Sequence, residues 1–437
     1  MLVLACLVAS GLIVRALNSS PAELAATPTF YRDVLPILQQ HCQQCHRHGD
    51  IAPMPLTTYE ETKSWARQIA NDTRSKRMPP WFADPCCGHF SDDPSLTEKE
   101  IATLSAWAET RAPGDPRDAP APPRWTEGWN ISPPDVVLRM PKPVAIPADG
   151  DVEYTYEIVP TDFSEDKWIR MSEIRPSSRQ YVHHAVVYIR PPGSKWLRGA
   201  PINTPFTASS LEDPALQHQA HETTSDLLLV YAPGSSPDRW PGDMAKFIPA
   251  HSDLVFQMHY TPTGKVEKDR SQVGFIFYKG EMPPKSIAHT RPILNMSFEI
   301  PPGESNYEVK SSFTFHRDVV LLGLMPHMHL RGKDFLYRAT YPDGRSEILL
   351  SVPSYDFNWQ GTYHFTESVS APEGTKIDCL AHFDNSADNR ANPDPTKTVT
   401  WGDQTWEEMM IGWVTYVVPN SGAAESQPVK EARLSEP

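Results

Sequence analysis

The sequence predicts a multidomain protein: a small all-α domain followed by two all-β antiparallel sandwich lobes of jelly-roll type. Three observations predict it. Helix-start signals are confined to residues 28–115, and beyond about residue 136 short runs of alternating apolar and polar residues, bounded by Pro and Gly, replace them. Proline, at 45 of 437 residues, is about twice its usual share of roughly 5%. That density disfavours long helices and suits short strands joined by ordered loops. The length allows two or three domains. The formal net charge of −14 argues against nucleic acid or an anionic membrane surface as a partner.

Residues 1–27 read as a signal peptide or an N-terminal membrane anchor. Met1 to Val14 is apolar and is followed by Arg15 and a small, polar stretch. Such a run suits the core of an export signal and is short of the roughly 20 residues of a spanning helix. An exported protein is expected, periplasmic or anchored facing the periplasm. Of the six cysteines, Cys86, Cys87 and Cys379 remain once Cys6 and the Cys42/Cys45 pair are set aside, which is no disulfide framework. Cys86 and Cys87 are expected as free thiols in preference to a vicinal disulfide, and no role is assigned to them.

Residues 28–115 form the helical unit. Phe30, Val34, Ile37 and Leu38 make an apolar face, with Pro36 expected to kink or restart the helix. Thr58-Tyr59-Glu60-Glu61 and Thr97-Glu98-Lys99-Glu100 are capping boxes, the second opening a helix that faces inward with Ile101, Leu104 and Trp107. Cys42-Gln43-Gln44-Cys45-His46 is a c-type haem attachment motif, in which the thiols form thioether links and His46 is the proximal iron ligand. A zinc half-site competes with that reading, but no second Cys or His pair stands at zinc-finger spacing. A second axial ligand would be Met or His, with Met78, Met54 and His89 in range. The segment resembles the cytochrome c-like domains of exported bacterial proteins. That resemblance implies a covalent haem c, with the Met78-Pro79-Pro80-Trp81 loop facing it and Met78 as second ligand. Residues 116–135, rich in proline, read as a semi-stiff linker.

The β half divides at about residue 285 into lobes 136–285 and 286–420. Val152, Tyr154, Tyr156 and Ile158 alternate with Glu153, Thr155 and Glu157, the pattern of a half-buried strand. Ala185 to Ile189 is continuously apolar, as in a strand covered on both faces. Val319 to Leu324 reads as a buried strand running into Met325-Pro326-His327-Met328-His329. Residues two apart share a strand face, so His327 and His329 offer a bidentate grip on one metal ion. His183 and His184 are adjacent, and both reach one ion only at a bulge or strand end. His259 lies on a third probable strand. Hydrogen-bonded structural histidines are the competing reading at each place. Asp384 to Asn389 reads as a solvated turn, His364 and His382 as possible supports for ligands, and residues 421–437 as a disordered tail.

The order of these residues is a His-His pair, a single His before Tyr, a His-x-His, and then Met409 after Glu407-Glu408. It resembles the copper type II ascorbate-dependent monooxygenases, the peptidylglycine α-hydroxylating and dopamine β-monooxygenase family, over about residues 135 to 420. The resemblance implies two copper ions. His183, His184 and His259 would hold the one that relays an electron. His327, His329 and Met409 would hold the one that binds O2, with Met410 as fallback, and an open cleft would separate the two. It also implies a small-molecule or peptide substrate hydroxylated at a C–H bond, and an ascorbate-like or protein electron donor, for which the haem is a candidate. Independently of the family, two imidazoles with a thioether favour copper over zinc, whereas three imidazoles suit either. The chain departs from the family in having Ala185 after the His-His pair, Met328 between the paired histidines, and Cys379 as its only cysteine beyond Cys87. No residue matches those that hold substrate in the family.

Overall fold

The computed structural model describes residues 27–124, 128–220, 227–232 and 235–419 of the 437. The expected signal or anchor and the expected C-terminal tail therefore lie almost wholly outside the described residues. No helix among the described residues is long and apolar enough to cross a membrane.

Both capping boxes form. The Thr58 and Thr97 hydroxyls accept from the backbone N–H of Glu61 and Glu100, whose carboxylates reach back to the threonine N–H. Pro36 stands in the first turn of the Leu35–His41 helix, after a π-helical turn over Phe30–Val34, where its missing N–H costs nothing. With the Ala66–Arg74 and Glu98–Thr110 helices, these segments close over their own apolar cluster, in which Phe30, Leu38, Leu104 and Trp107 are fully buried.

The rest is mostly β-structure. Strands Val136–Arg139, Gln272–Phe277, Lys167–Arg175 and Met244–Ile248 pack against a sheet in which Asp253–Tyr260 lies between Thr155–Pro160 and Val182–Arg190. Strands Ser286–Leu294, Ile411–Pro419, Val319–His327 and Tyr363–Ala371 pack against a second sheet formed by Tyr307–Thr314, Lys376–Phe383, Gly332–Thr340 and Ser346–Val352. The two sandwiches are not separate bodies. Met244–Ile248 pairs in parallel with Ser286–Leu294, so that one nine-stranded sheet runs through both. A further apolar cluster brings Tyr154, Tyr156 and Val255 of the first together with Met325, Met409 and Trp413 of the second. The expected open cleft between the lobes is thus replaced by a packed junction, because the shared sheet sets the lobes side by side and apolar side chains fill the seam.

Several local expectations change. The Thr155–Pro160 strand begins after Tyr154, and it is covered on both faces rather than one. Glu157 is consequently buried, and burial pushes its carboxyl up to about 7 against smaller opposing effects from the backbone and charge of Lys142 and from Arg270. The native state therefore keeps this proton at pH values where the unfolded chain, with a carboxyl near 4.3, has lost it. Stability contributed here falls as pH rises from about 4.5 to about 7 and is flat above. Glu157→Gln is expected to remove that slope, on the order of 1–3 kcal/mol. The check is the urea midpoint of both proteins from pH 4.5 to 8, and a gain no larger at pH 7 than at pH 4.5 refutes it.

The linker is docked from Gly128 onward. Ile131 is buried, and the N–H groups of Asn130 and Ile131 donate to Glu173. A short helix, Pro214–Ala220, interrupts the β half where no helical periodicity is visible. Of the two readings of Cys86 and Cys87 the alternative holds: they are joined as a vicinal disulfide within the Asp84–Cys87 turn, which the Cys87 N–H closes by donating to the Asp84 carbonyl. The Asp384–Asn389 stretch turns at Ala387 and Asp388, which are exposed, but Asn385 within it is fully buried and accepts from the Arg331 guanidinium at 2.9 Å.

The helical unit touches both sandwiches. Trp81 packs against Trp359 and Tyr363 of the second, Phe90 bridges to Phe365, and the Ser91 N–H donates to the His364 carbonyl. On the first, Asp50 is paired with Arg179 at 3.0 Å.

Candidate metal centre

In the first sandwich His259 stands opposite His184, but the next pair in the ladder is Tyr260 with Val182. His183 is therefore the extra residue of a bulge, which lets two adjacent side chains turn to one side. Their Nδ1 atoms are 3.1 Å apart. One ring nitrogen from each of His183, His184 and His259 lies within 4.8 Å of the others. Metal–nitrogen bonds of about 2.0–2.1 Å put tetrahedral ligand atoms about 3.3 Å apart, so the three rings need only small rotations to close on one ion. The buried Nδ1 of His259 has no hydrogen-bond partner among the described residues. Tyr154 packs on the rings of His184 and His259 at 5.5 and 4.8 Å.

In the second sandwich the Val319–His327 strand pairs His327 with Ile411. Continuing that register two residues places Met409 opposite His329. His329 itself lies past the strand end, so strand alternation does not orient it; the Glu408 carboxylate does. That carboxylate, fully buried, accepts from the N–H of His329 at 2.8 Å and of Arg331 at 2.6 Å. The His327 and His329 rings stand 5.3 Å apart and almost perpendicular. His327 Nδ1 faces Gln360 Oε1 at 2.6 Å, and His329 Nδ1 faces the Glu407 carbonyl at 3.3 Å. Each acceptor holds the proton on Nδ1 and leaves Nε2 unprotonated, and the buried His329 Nε2 has no partner among the described residues. Met409 lines a cavity with His327 and His184, while Met410 is buried in the core of the second sandwich. The two methionines face opposite ways, as neighbours along an extended chain do.

The two sets adjoin. The His184 and His327 rings are 6.2 Å apart. Phe357 stacks on His183 at 4.7 Å and lies 6.1 Å from both His259 and His329. Neither Phe357 nor Gln360 carries a signal in the sequence: they are an aromatic and an amide in a loop, identified by their contacts alone. Burial pushes His183 and His327 down to about 4, and His184, His259 and His329 well below the ordinary imidazole range. All five are neutral at pH 7, the form in which imidazole binds a metal. Of the candidate supports, His364 pairs instead with Asp92 at 3.1 Å and His382 with Asp334 at 2.7 Å.

In the helical unit the N–H groups of Cys45 and His46 both donate to the Cys42 carbonyl, which sets the two thiols one turn apart. Burial pushes Cys42 up to about 12 and Cys45 to about 11. His46 Nδ1 faces the Met54 carbonyl at 3.1 Å, which leaves Nε2 free. Met54 is partly buried against the helical core, whereas Met78 is 40% exposed beyond the Ala66–Arg74 helix. One ion pair ties the loop after the motif to the segment ahead of the first histidine set. Asp50, five residues past Cys45, grips Arg179, which opens the turn Arg179–Tyr181 leading directly into Val182 and His183.

No family model matches the chain, and no curated protein matches it. Among solved structures, the chain is similar to the infectious bursal disease virus VP2 subviral particle at 9% identity and a TM-score of 0.19, covering 68% of this chain and 75% of that one. The Gx strain of the same virus gives 7% identity and a TM-score of 0.19 over 68% and 75%. Likeness at this level carries no argument about function.

Proposed function

We propose that this chain is an exported copper monooxygenase of the copper type II ascorbate-dependent kind, with a covalent haem c on its helical unit. One observation carries the reading: five neutral histidines, three buried and two half-buried, gather with Met409 at one junction, and buried ring nitrogens of His183, His259 and His329 have no hydrogen-bond partner among the described residues. His183, His184 and His259 would hold one copper, and His327, His329 and Met409 the other. Copper held by two imidazoles and a thioether supplies dioxygen chemistry when bound, and copper held by three imidazoles supplies a second electron. Gln360 and the Glu407 carbonyl fix the imidazole tautomers, Glu408 fixes the backbone of His329, and Phe357 keeps water from the space between the two sets. Cys42, Cys45 and His46 would carry the haem, with Met78 or Met54 as its second ligand, and the haem is the proposed electron donor.

The deciding experiment is oxygen uptake coupled to a hydroxylated product, with about two coppers per chain by metal analysis. Uptake without product, on a copper-loaded chain, would favour an electron-transfer or copper-binding protein, the second reading that the tightly closed junction supports. Gln360→Leu is expected to weaken metal binding at His327 by about 10–100-fold, since the ring loses the acceptor that orients it. A chelator-competition titration checks it, and unchanged affinity would remove Gln360 from the site. Cys45→Ala is expected to leave a haem attached by a single thioether, read as a shifted haemochrome band in denaturant.

A further inference from the structure

We propose that the cavity between His184, His327 and Met409 takes a small, uncharged and largely apolar ligand, with at most a hydroxyl, ether or ketone oxygen, and rejects carboxylates and ammonium ions. This rests on the copper-monooxygenase reading for calling the ligand a substrate; the cavity itself does not depend on it.

The walls carry the argument. Val186, Leu227, Met325, Ile411 and Trp413 line the cavity, and among the described residues no Asp, Glu, Lys or Arg does. Its two amides are already committed. Gln257 donates to the Tyr156 hydroxyl at 2.9 Å and accepts from Tyr188, while Gln360 donates to the Phe357 carbonyl and faces His327. The nearest buried acids are turned away and bonded, Asp403 to the Tyr156 hydroxyl and Glu408 to two backbone N–H groups. What remains for a ligand is the Tyr154 hydroxyl, which carries no hydrogen bond among the described residues, and the Trp413 indole. One or two neutral donors satisfy an oxygen but do not offset a buried charge. At ≈ 40 Å³ the space suits a slim carbon chain end rather than a folded peptide.

The test compares one carbon skeleton in three charge states, using 1-butanol, butyrate and butylammonium with the full chain as purified. Saturation-transfer NMR and calorimetry read the binding. The expected result is 1-butanol bound at least tenfold more tightly than either ion, and lost when Val186→Trp fills the cavity; Leu227→Phe serves if that variant does not fold. Tyr154→Phe is expected to weaken 1-butanol several-fold while leaving n-butane unchanged. Butyrate or butylammonium binding as tightly as 1-butanol, or 1-butanol binding unaffected by either filling variant, overturns the assignment. If 1-butanol binds as expected yet no compound of any charge yields an oxygen-dependent product, the monooxygenase reading falls and the cavity assignment stands. If instead an ion is hydroxylated while 1-butanol does not bind, the reading stands and the assignment falls.

Discussion

On the proposed copper-monooxygenase reading, Met409→Ile is expected to abolish oxygen-dependent product formation, by at least about 100-fold, while a copper proposed at His183, His184 and His259 stays bound. Met409 is 5% exposed in the apolar seam, and isoleucine of similar volume keeps that burial at a cost below about 1.5 kcal/mol. The fold therefore survives, and the thioether alone is lost. Electron paramagnetic resonance should go from two copper signals to one as oxygen uptake stops. Met410→Ile is the matched control, since that side chain sits in the core of the second sandwich: turnover should persist. Turnover retained in Met409→Ile would sink the ligand assignment.

Glu408→Ala is expected to be the most destabilising single change at the junction, costing about 3–5 kcal/mol. The carboxylate is fully buried and accepts from the N–H groups of His329 and Arg331. Its removal orphans both donors at about 1–3 kcal/mol each and leaves a void beside them. Arg331 would lose its register too, because its guanidinium is spent on Asn385 and the Trp406 carbonyl. Glu408→Gln should fall in between, since an amide accepts one N–H and opposes the other. Urea unfolding of metal-free protein checks this without copper linkage, and wild-type stability in Glu408→Ala would refute it.

Much of the local structure was legible. Capping boxes at Thr58 and Thr97 and the buried strand from Val319 are written in short-range patterns, and their physics is local. The bulge at His183 was legible as a condition: two adjacent histidines share one ion only if the ladder slips, and it does. What escaped is non-local. The parallel pairing of Met244–Ile248 with Ser286–Leu294 has no sequence signature, yet it merges the lobes and closes the expected cleft. Asn385 looked like turn chemistry because its partner, Arg331, is 54 residues away. His329 seemed to be set by strand alternation, whereas Glu408 sets it from across the ladder. The helical unit is visible as helices, but the haem and copper assigned to this chain rest on residue types and bare nitrogens.

The contacts of residues 81–91 and of Asp50 bear on how such a chain can be assembled and reshuffled. Trp81 and Phe90 are sunk into the aromatic cluster of Trp359, Tyr363 and Phe365, while Asp50 holds the turn ahead of His183. The N-terminal unit is thus a strap over both β bodies rather than a bead on a string. Excising it would strip aromatic cover from one sandwich and unpair Arg179 on the other. The three parts are tied into one inheritable piece, and gene fusions that trade the N-terminal unit for another domain would have to re-create both anchor points at once.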